Sequence, residues 1–390
     1  MSDTPGAERS SQGGPSRDGA SRAGASRGSA GRERAGREKP SVYEVARAAG
    51  VSTATVSRVL AGHERVLPVT RDKVLTAVTE LGYVPSGAAR DLAARRTGVL
   101  GLCFPDLDPE TQDEGDAAYW YDEVIRGMER AARRSGYAVL IAASHRRDDS
   151  GLVLSIAGRC DGLVVLARTA PLAMIEHVAA RIPVVLLATE EGAGGAPTSE
   201  RAGERAIDYL AVANETGARQ VTAHLAGVHG YTDLCFIAGP PDSPDSASRL
   251  DGFRRATATA ALGEAPVYHG DFTTAGGRRA AEQVLASGRV PRALVCANDQ
   301  TAIGAMAALR RAGLSVPGDV AVTGFDGIQL GRHLHPSLTT VVQPMAALGE
   351  TAVAMLSDRI GGAPPQQALP RRTVELPVRL ELGGSCGCAE

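Results

Sequence analysis

A short stretch near the amino terminus carries side chains that can form hydrogen bonds with a regular series of donors and acceptors. The sequence Thr-Ala-Thr-Val-Ser-Arg begins at Thr53 and combines small or hydroxylated side chains with one guanidinium. If it is helical, Thr53, Ala54, Ser57 and Arg58 lie on its exposed side, and Thr55 is a fifth candidate contact. Small side chains let a helix enter a DNA major groove, where Arg58 can donate to guanine or to phosphate. An ordinary α-hairpin with a solvated arginine fits the same residues.

The flanking residues predict the helices that would position this stretch. Ser41 and Glu44 are spaced as a capping box, and Ser52 is a suitable N-cap for the second helix. Ala46, Gly50 and Val56 stand at the first-helix, turn and second-helix positions of a helix-turn-helix, where a small residue, a flexible residue and an apolar plug are needed. The predicted helices run from Ser41 to Ala49, from Thr53 to Leu60 and from Arg71 to Leu81.

Residues 42–60 closely resemble the helix-turn-helix of the lactose-repressor (LacI/GalR) family of bacterial transcription regulators. Further similar segments follow in the family's order, so the resemblance covers about residues 41–385. A shared order of several motifs is far more specific than any single motif. On this basis the chain is identified as a member of the family. The segments are Tyr83-Val-Pro85 with Ala89, Leu92 and Thr97, then Ile237-Ala-Gly-Pro240, Arg249-Leu-Asp-Gly-Phe253, Ala297-Asn-Asp-Gln300, Gly324-Phe-Asp326 and Leu376-Pro377.

From Gly98 onward, apolar runs alternate with amphipathic helices, which predicts parallel sheets in an α/β architecture. The resemblance implies a periplasmic-binding-protein-like body of two Rossmann-like lobes, with three crossovers near Ala213, Gln343 and Arg371. The expected domains are a disordered Ser/Arg/Gly/Ala tail (1–38), a helix-turn-helix head (41–84), a hinge helix (85–97), an amino-terminal lobe (98–213 and 343–370) and a carboxy-terminal lobe (214–342 and 371–385).

The resemblance also implies how the chain would engage DNA. Family members bind a pseudo-palindromic operator as dimers, and a leucine of each hinge helix wedges into the minor groove and bends the duplex. Leu92 stands at that position. Packing of Leu92 onto the body is an alternative, and both can hold in different states.

A small-molecule site between the lobes is the second implication of the resemblance. The residues that carry over are Trp120, Tyr121, Arg249, Phe272, Asn298 and Asp326. A carbohydrate fits the aromatic faces and polar side chains, but Ala188 stands where many members have an aspartate. Arg249 could instead be a structural ion-pair partner, Asp299 could cap the following helix, and Phe272 and Tyr121 could belong to the core.

Other chemistry finds little support in the sequence. No phosphate-binding loop, dinucleotide fingerprint, nucleophile elbow or His-Glu-x-x-His motif is present, so neither an enzyme nor a cofactor is expected. Acidic residues from Asp106 to Asp116 lack the order of a calcium loop. Cys386-Gly-Cys388 could bind a soft metal or oxidise, but two thiols do not complete a site. We therefore expect no metal and treat this end as a tail.

Charge is divided unevenly along the 390 residues. Residues 1–98 hold 16 basic and 10 acidic side chains, whereas the remainder holds 26 basic and 34 acidic ones. A basic head before an acidic body predicts that only the head and hinge meet phosphate. The six cysteines read as reduced thiols, and neither a signal peptide nor a membrane span is evident. These features predict a cytoplasmic, nucleoid-associated protein.

Together these features predict a homodimeric, sequence-specific DNA-binding transcriptional repressor whose operator affinity responds to a small ligand, a sugar or sugar derivative. Two alternatives remain open. A ligand-independent DNA-binding protein with a degenerate cleft would account for the missing aspartate at 188. A transport-type solute-binding protein would share the body but lack the helix-turn-helix.

Overall fold

A computed structural model describes residues 40–60, 62–63, 65–84, 96–105, 118–144, 150–187, 207–361 and 370–389. The expected tail (1–38), almost all of the expected hinge including Leu92, the acidic stretch after Asp106 and position 188 lie outside these residues. The chain divides into two compact units, one ending at Ser86 and the other starting at Gly87. We refer to them as the head and the body.

The head is a three-helix unit, and its helices are α1 (Val42–Ala49), α2 (Thr53–Leu60) and α3 (Pro68–Leu81). The first begins one residue later than predicted, with Ser41 as its N-cap, and the second matches the predicted bounds. The third begins three residues earlier than predicted, because Pro68 occupies the first helical turn, where its missing N–H costs nothing. Val45, Val56 and Val74, one from each helix, are fully buried and form the centre of the core.

The first lobe of the body contains a six-stranded parallel sheet with helices on both faces. Its strands are β1 (Val99–Pro105), β2 (Ala138–Ser144), β3 (Gly162–Leu166), β4 (Val184–Leu187), β5 (Asp208–Val212) and β11 (Thr373–Leu376), in the order β2-β1-β3-β4-β5-β11. Its helices are α4 (Ala118–Arg134), α5 (Ser150–Ala157), α6 (Leu172–Ala179) and α12 (Met345–Gly361). The buried strands have continuous apolar runs, as a sheet covered on both faces requires.

The second lobe repeats this design with one antiparallel strand at the edge. Its strands are β6 (Leu234–Ala238), β7 (Val267–His269), β8 (Ala293–Cys296), β9 (Ala321–Asp326), β10 (Thr339–Val342) and β12 (Arg379–Glu381), in the order β7-β6-β8-β9-β10-β12. Its helices are α7 (Asn214–Gly227), α8 (Pro244–Thr259), α9 (Thr274–Ala286), α10 (Asp299–Arg311) and α11 (Gln329–Arg332), with a 3₁₀ turn at Gly384–Cys386. The expected α/β body is therefore confirmed.

The third crossover differs from its predicted position near Arg371. Strand β11 still pairs with β5 in the first lobe, and the chain changes lobes only between Leu376 and Arg379. The reason is the buried carboxylate of Asp208, which accepts hydrogen bonds from the backbone N–H of Arg372 and from the Nε of Arg359, both at 2.9 Å. These bonds hold the returning segment on the first sheet.

The expectation of a carboxy-terminal tail is wrong. Ser385 is fully buried, its hydroxyl donates to the Val322 carbonyl at 2.6 Å, and it accepts the Thr339 N–H at 2.8 Å. The last residues therefore form part of the second lobe. Among the helices of the described residues, none combines the length and the apolar character that crossing a bilayer requires.

Candidate nucleic-acid interface and ligand cleft

Helix α2 presents the predicted contact face to the outside of the head. Ala54, Ser57 and Arg58 are exposed and Thr53 is half-buried, whereas Val56 is buried against the other two helices. The outward face therefore carries small side chains with the guanidinium behind them. This is the arrangement that admission to a major groove requires.

Two local features fix the direction of α2. Gly50 ends α1 in the left-handed region at φ 64°, which a residue with a side chain rarely adopts. The Ser52 hydroxyl accepts the backbone N–H of Thr55 at 3.2 Å and lies 2.9 Å from the Thr55 hydroxyl. Thr55 therefore belongs to the cap of the helix, and its hydroxyl is already engaged.

In the body, all six predicted ligand residues line one cavity between the lobes. The cavity holds about 770 Å³ of atom-free space, part of it open to solvent. Trp120 and Tyr121 come from the start of α4, and the other four lie at or just beyond the carboxyl ends of second-lobe strands or on the helix that follows. Open α/β sheets bind ligands at this edge, because strand ends and helix starts converge there. The six are Trp120, Tyr121, Arg249, Phe272, Asn298 and Asp326.

Arg249 is the buried cation at the base of this cavity. Its Nε donates to Asn214 at 2.8 Å, one terminal nitrogen donates to the Ala297 carbonyl at 2.6 Å, and the same nitrogen lies 3.5 Å from Asp326. The guanidinium lies 3.9 Å from the centroid of the Phe325 ring. Arg249 is thus both a structural ion-pair partner and a cavity-lining group, so a structural role and a role in ligand binding do not exclude each other.

Asp326 is buried at the end of β9 and accepts a hydrogen bond from the Gln343 side-chain amide. Burial raises the pKa of its carboxyl to about 6, and the nearby Arg249 partly offsets this effect. Neighbouring Asp299 is also buried, and its pKa is raised well above the ordinary value by burial and by the charge of Asp326. A carboxyl so placed is an acceptor for ligand hydroxyls when ionised and a donor when protonated.

Asn298 and Asp299 have roles that the sequence left open. The Asn298 oxygen accepts the Thr301 N–H at 3.0 Å and so caps α10, while its amide donates to the Phe272 carbonyl at 2.9 Å. Asp299 instead accepts the N–H groups of Gly327 and Ile328, both at 2.8 Å. Asp299 is therefore neither the cap nor a cavity-lining group, and it positions the backbone that carries Asp326.

The aromatic residues lie on both sides of the cavity. Tyr121 stacks on Phe104 with ring centroids 4.8 Å apart and meets Trp120 edge-on at 5.4 Å. On the opposite lobe, a Cβ at Gly239 would lie 2.3 Å from the Phe272 ring, so only glycine leaves room for this ring. The Ile-Ala-Gly-Pro motif thus has a physical reason, since it makes space for an aromatic face in the cleft.

Backbone strain is concentrated around the cavity. Phe272, Asp326 and Arg168 have φ values of 72°, 123° and 73°, and all three line the cavity. Among the described residues other than glycine, just one more has a positive φ. Non-glycine residues in this region cost free energy and are usually retained where a side chain must be aimed. The strained residues therefore indicate that side chains are held in fixed directions around this cavity, as a binding site requires.

Sequence reasoning missed several cavity residues. Arg168 in the first lobe lies 3.0 Å from Asp242 in the second and bridges the lobes at the cavity. Asp245 is held by Asn214 at 2.9 Å, and burial raises the pKa of its carboxyl. The position of Asp245 four residues before Arg249, on the same face of α8, was a signal that could have identified it.

The raised pKa of Asp326 predicts a pH dependence of stability. An unfolded aspartate titrates near about 4, so the folded protein retains a proton that the unfolded chain loses. The stabilisation is present below that value and is lost as pH rises through about 6. Between pH 4.5 and 7, the free energy of unfolding of wild type should fall by about 1–2 kcal/mol relative to that of Asp326→Asn, whose side chain cannot titrate. Urea unfolding of both proteins at the two pH values measures this difference, and parallel changes would contradict it.

Two family models match the chain. Residues 41–86 match "Bacterial regulatory proteins, lacI family", and residues 222–386 match "Periplasmic binding protein-like domain". Catabolite control protein A of Priestia megaterium is 30% identical over 349 residues, which cover 88% of this chain and 98% of that protein. The sequence similarity thus spans both the head and the body.

Solved structures agree with this similarity. The lac repressor dimer bound to operator and the anti-inducer ONPF has a TM-score of 0.72 at 26% identity, covering 90% of this chain and 99% of that one. The complex of the transcriptional regulator CelR with cellobiose has a TM-score of 0.64 at 29% identity, covering 89% and 100%. Both neighbours are regulators of transcription.

Proposed function

The chain belongs to the LacI family of bacterial regulatory proteins, and from this membership we propose that it is a homodimeric repressor whose operator affinity is set by a neutral, polyhydroxylated ligand. As a family member it is a sequence-specific DNA-binding regulator of transcription and not an enzyme. We propose that the protein acts in the cytoplasm, bound to the nucleoid. Its sequence similarity to bacterial DNA-binding regulators supports this location.

The charge balance of the cavity carries the proposal about the ligand. Among the described residues, the charged ones that line it are two cations, Arg168 and Arg249, and two carboxylates, Asp245 and Asp326. A phosphorylated or otherwise anionic ligand would meet both buried carboxylates without a surplus cation to compensate. A neutral ligand with many hydroxyls can instead donate to the carboxylates and accept from the guanidinium, with its apolar faces against the aromatic rings. The cellobiose complex of CelR supports the same class.

Ligand binding is coupled to DNA binding through the lobes. The Arg168–Asp242 ion pair crosses between the lobes beside the cavity, and Trp120 in the first lobe donates to Gln343, in the segment that connects them, at 3.4 Å. A ligand that contacts both lobes selects one relative lobe orientation and thereby biases the hinge segments that meet DNA. Leu92 then acts as the minor-groove wedge, and the operator bend angle of Leu92→Ala tests this role.

A thermal-shift screen tests the ligand assignment. Neutral mono- and disaccharides, nucleosides and sugar phosphates are compared at equal concentrations on wild type and on Asp326→Ala. We expect a neutral sugar to raise the melting temperature of wild type and to lose this effect in the variant, because bound ligand stabilises the folded state. A sugar phosphate as the sole stabilising compound would contradict the assignment of a neutral ligand, whereas a nucleoside as the sole stabilising compound would keep the ligand neutral and exclude only a plain sugar. If no compound stabilises wild type, the ligand-independent alternative is favoured.

A further inference from the structure

Four side chains that are candidate metal ligands meet at one point in the second lobe. They are His224 in the last turn of α7, His229 just beyond that helix, and Cys386 and Cys388 near the carboxy terminus. Their ligand atoms all lie within 4.8 Å of one another. In the described part of the chain, no other group of histidine, cysteine and acidic side chains meets in this way.

The fold brings these residues together from distant parts of the sequence. Helix α7 starts at Asn214, beside the ligand cavity, and runs back to the opposite edge of the sheet, where β6 begins at Leu234. The terminal segment reaches the same region because Ser385 is bonded to Val322 and Thr339. The cluster is therefore at the amino ends of the strands, away from the cavity between the lobes.

Gly387 allows both cysteines to face the same point. Its φ is 103°, a region that residues with side chains rarely adopt. A Cβ at this position would also lie 2.9 Å from the Tyr231 hydroxyl. A cysteine-glycine-cysteine turn of this shape therefore depends on its central glycine.

Four of the six distances between ligand atoms in the cluster are close to the edges of a metal-centred tetrahedron. The Nε2 atoms of His224 and His229 are 3.1 Å apart, and the His224 Nε2 is 3.6 Å from the Cys386 sulfur. The Cys388 sulfur is 3.4 Å from each of the two Nε2 atoms. Zn–N bonds of roughly 2.0 Å and Zn–S bonds of roughly 2.3 Å give tetrahedral edges of about 3.3–3.8 Å between ligand atoms. With these four distances near the tetrahedral edges and the other two within 4.8 Å, small side-chain shifts would let the four donors surround one ion.

We propose that His224, His229, Cys386 and Cys388 bind one Zn²⁺ ion that clips the carboxy terminus to the end of α7. Two thiolates balance the charge of the ion, and metal binding displaces the two thiol protons to solvent. Four protein ligands leave no open position, which makes the site structural. Two thiolates with two imidazoles also favour zinc over magnesium or calcium, which prefer oxygen ligands.

The surroundings hold the ligands in place. The Tyr231 ring stacks on His229 with centroids 5.1 Å apart, and its hydroxyl donates to the Cys386 carbonyl at 3.1 Å. Arg292 donates to the same hydroxyl at 2.9 Å, and its guanidinium lies 4.1 Å from the centroid of the tyrosine ring. Such supporting bonds around a metal site orient its ligands. One tyrosine therefore contacts a ligand from each half of the cluster.

Metal analysis of the full-length protein tests the proposal. The protein is purified with a phosphine reductant and without chelator, and its zinc content is measured by plasma mass spectrometry. We expect one zinc ion per protomer in wild type and its loss in Cys388→Ser and in His229→Asn. The matched controls Cys160→Ser and His177→Asn change a buried cysteine and an exposed histidine outside the cluster, and they should keep the ion.

Cobalt substitution of the wild-type protein supplies a readout that does not depend on any variant folding. Chelator-stripped wild type reconstituted with Co²⁺ should show the strong visible absorption of a tetrahedral ion and a thiolate charge-transfer band. Gly387→Ala should weaken both, because it disturbs the turn between the two cysteines. Three results would each overturn the proposal. The first is wild type that contains no zinc and gives no cobalt spectrum, and the second is an unchanged zinc content in Cys388→Ser. The third is a stable Cys386–Cys388 disulfide in place of the metal site.

Discussion

Replacement of Arg249 with methionine should lower the free energy of unfolding by about 3–5 kcal/mol, a large part of the stability of an ordinary domain. The Arg249 side chain is 6% exposed, and its guanidinium donates hydrogen bonds to Asn214 and Ala297. Methionine keeps most of the volume but leaves the carboxylates of Asp245 and Asp326 without a nearby cation. Denaturant unfolding monitored by circular dichroism measures the loss. The same variant should no longer be stabilised by the neutral sugar, because it lacks the donor at the base of the cavity.

A double-mutant cycle separates this electrostatic effect from simple loss of packing. Asp326→Asn removes the charge that lies 3.5 Å from Arg249 without changing the shape of the side chain. In the Arg249→Met background, this second change should cost less than it does in wild type, or should stabilise, because it removes an uncompensated buried charge. Strictly additive losses would contradict the view that Arg249 and Asp326 act as a pair.

Arg58→Ala should weaken operator binding by about 1–3 kcal/mol and relax sequence preference at one base pair of each half-site. Arg58 is exposed on α2 behind a face of small side chains, so its guanidinium can reach a base edge where larger neighbours would block the approach. Fluorescence anisotropy at a fixed salt concentration, with operator variants changed one base pair at a time, measures both effects.

Arg47→Ala is the matched control for this prediction. Arg47 is an exposed arginine in the last turn of α1 and carries the same charge. Its loss should alter affinity equally for all operator variants and reduce only the salt dependence, as expected for a phosphate contact. If Arg58→Ala behaves in the same way as Arg47→Ala, Arg58 binds phosphate and does not read bases.

Much of the fold could be predicted because its signals are local. The capping serines, Gly50 and Val56 specify the head, and apolar runs specify most strands of the body. Strand β5 could not be predicted in this way, because it begins with the charged residue Asp208. That carboxylate is buried only because Arg359 and Arg372 bond to it from more than 150 residues away. Pairing between residues so distant in the chain has no local sequence signal.

Short edge strands also lack a local sequence signal. Strands β7 and β12 have three residues each, and β11 alternates exposed and half-buried positions. None contains the continuous apolar run that marks a central strand. The crossover that the resemblance implied near Arg371 lies too early in the chain, and nothing local marks Thr373–Leu376 as a strand of the first lobe.

Motifs carried over from the family proved more informative about the cavity than hydrophobic pattern. All six predicted residues line it, but their roles as ligand contacts stay predictions. The terminal cluster shows the opposite case. Two cysteines alone did not complete a metal site, and the two histidines lie about 160 residues earlier. His229 and the Cys-Gly-Cys terminus can each be read in the sequence, but only the fold places them together.

Operator affinity measured with and without ligand tests the central proposal most directly. The neutral sugar with the largest thermal shift is titrated into a complex of wild-type protein with labelled operator at constant salt, and Asp326→Ala is run in parallel. If cleft and head are coupled, saturating sugar should change the wild-type operator dissociation constant by about tenfold or more and leave that of the variant unchanged. An operator dissociation constant that stays constant while the sugar demonstrably saturates the cleft would contradict ligand-controlled regulation.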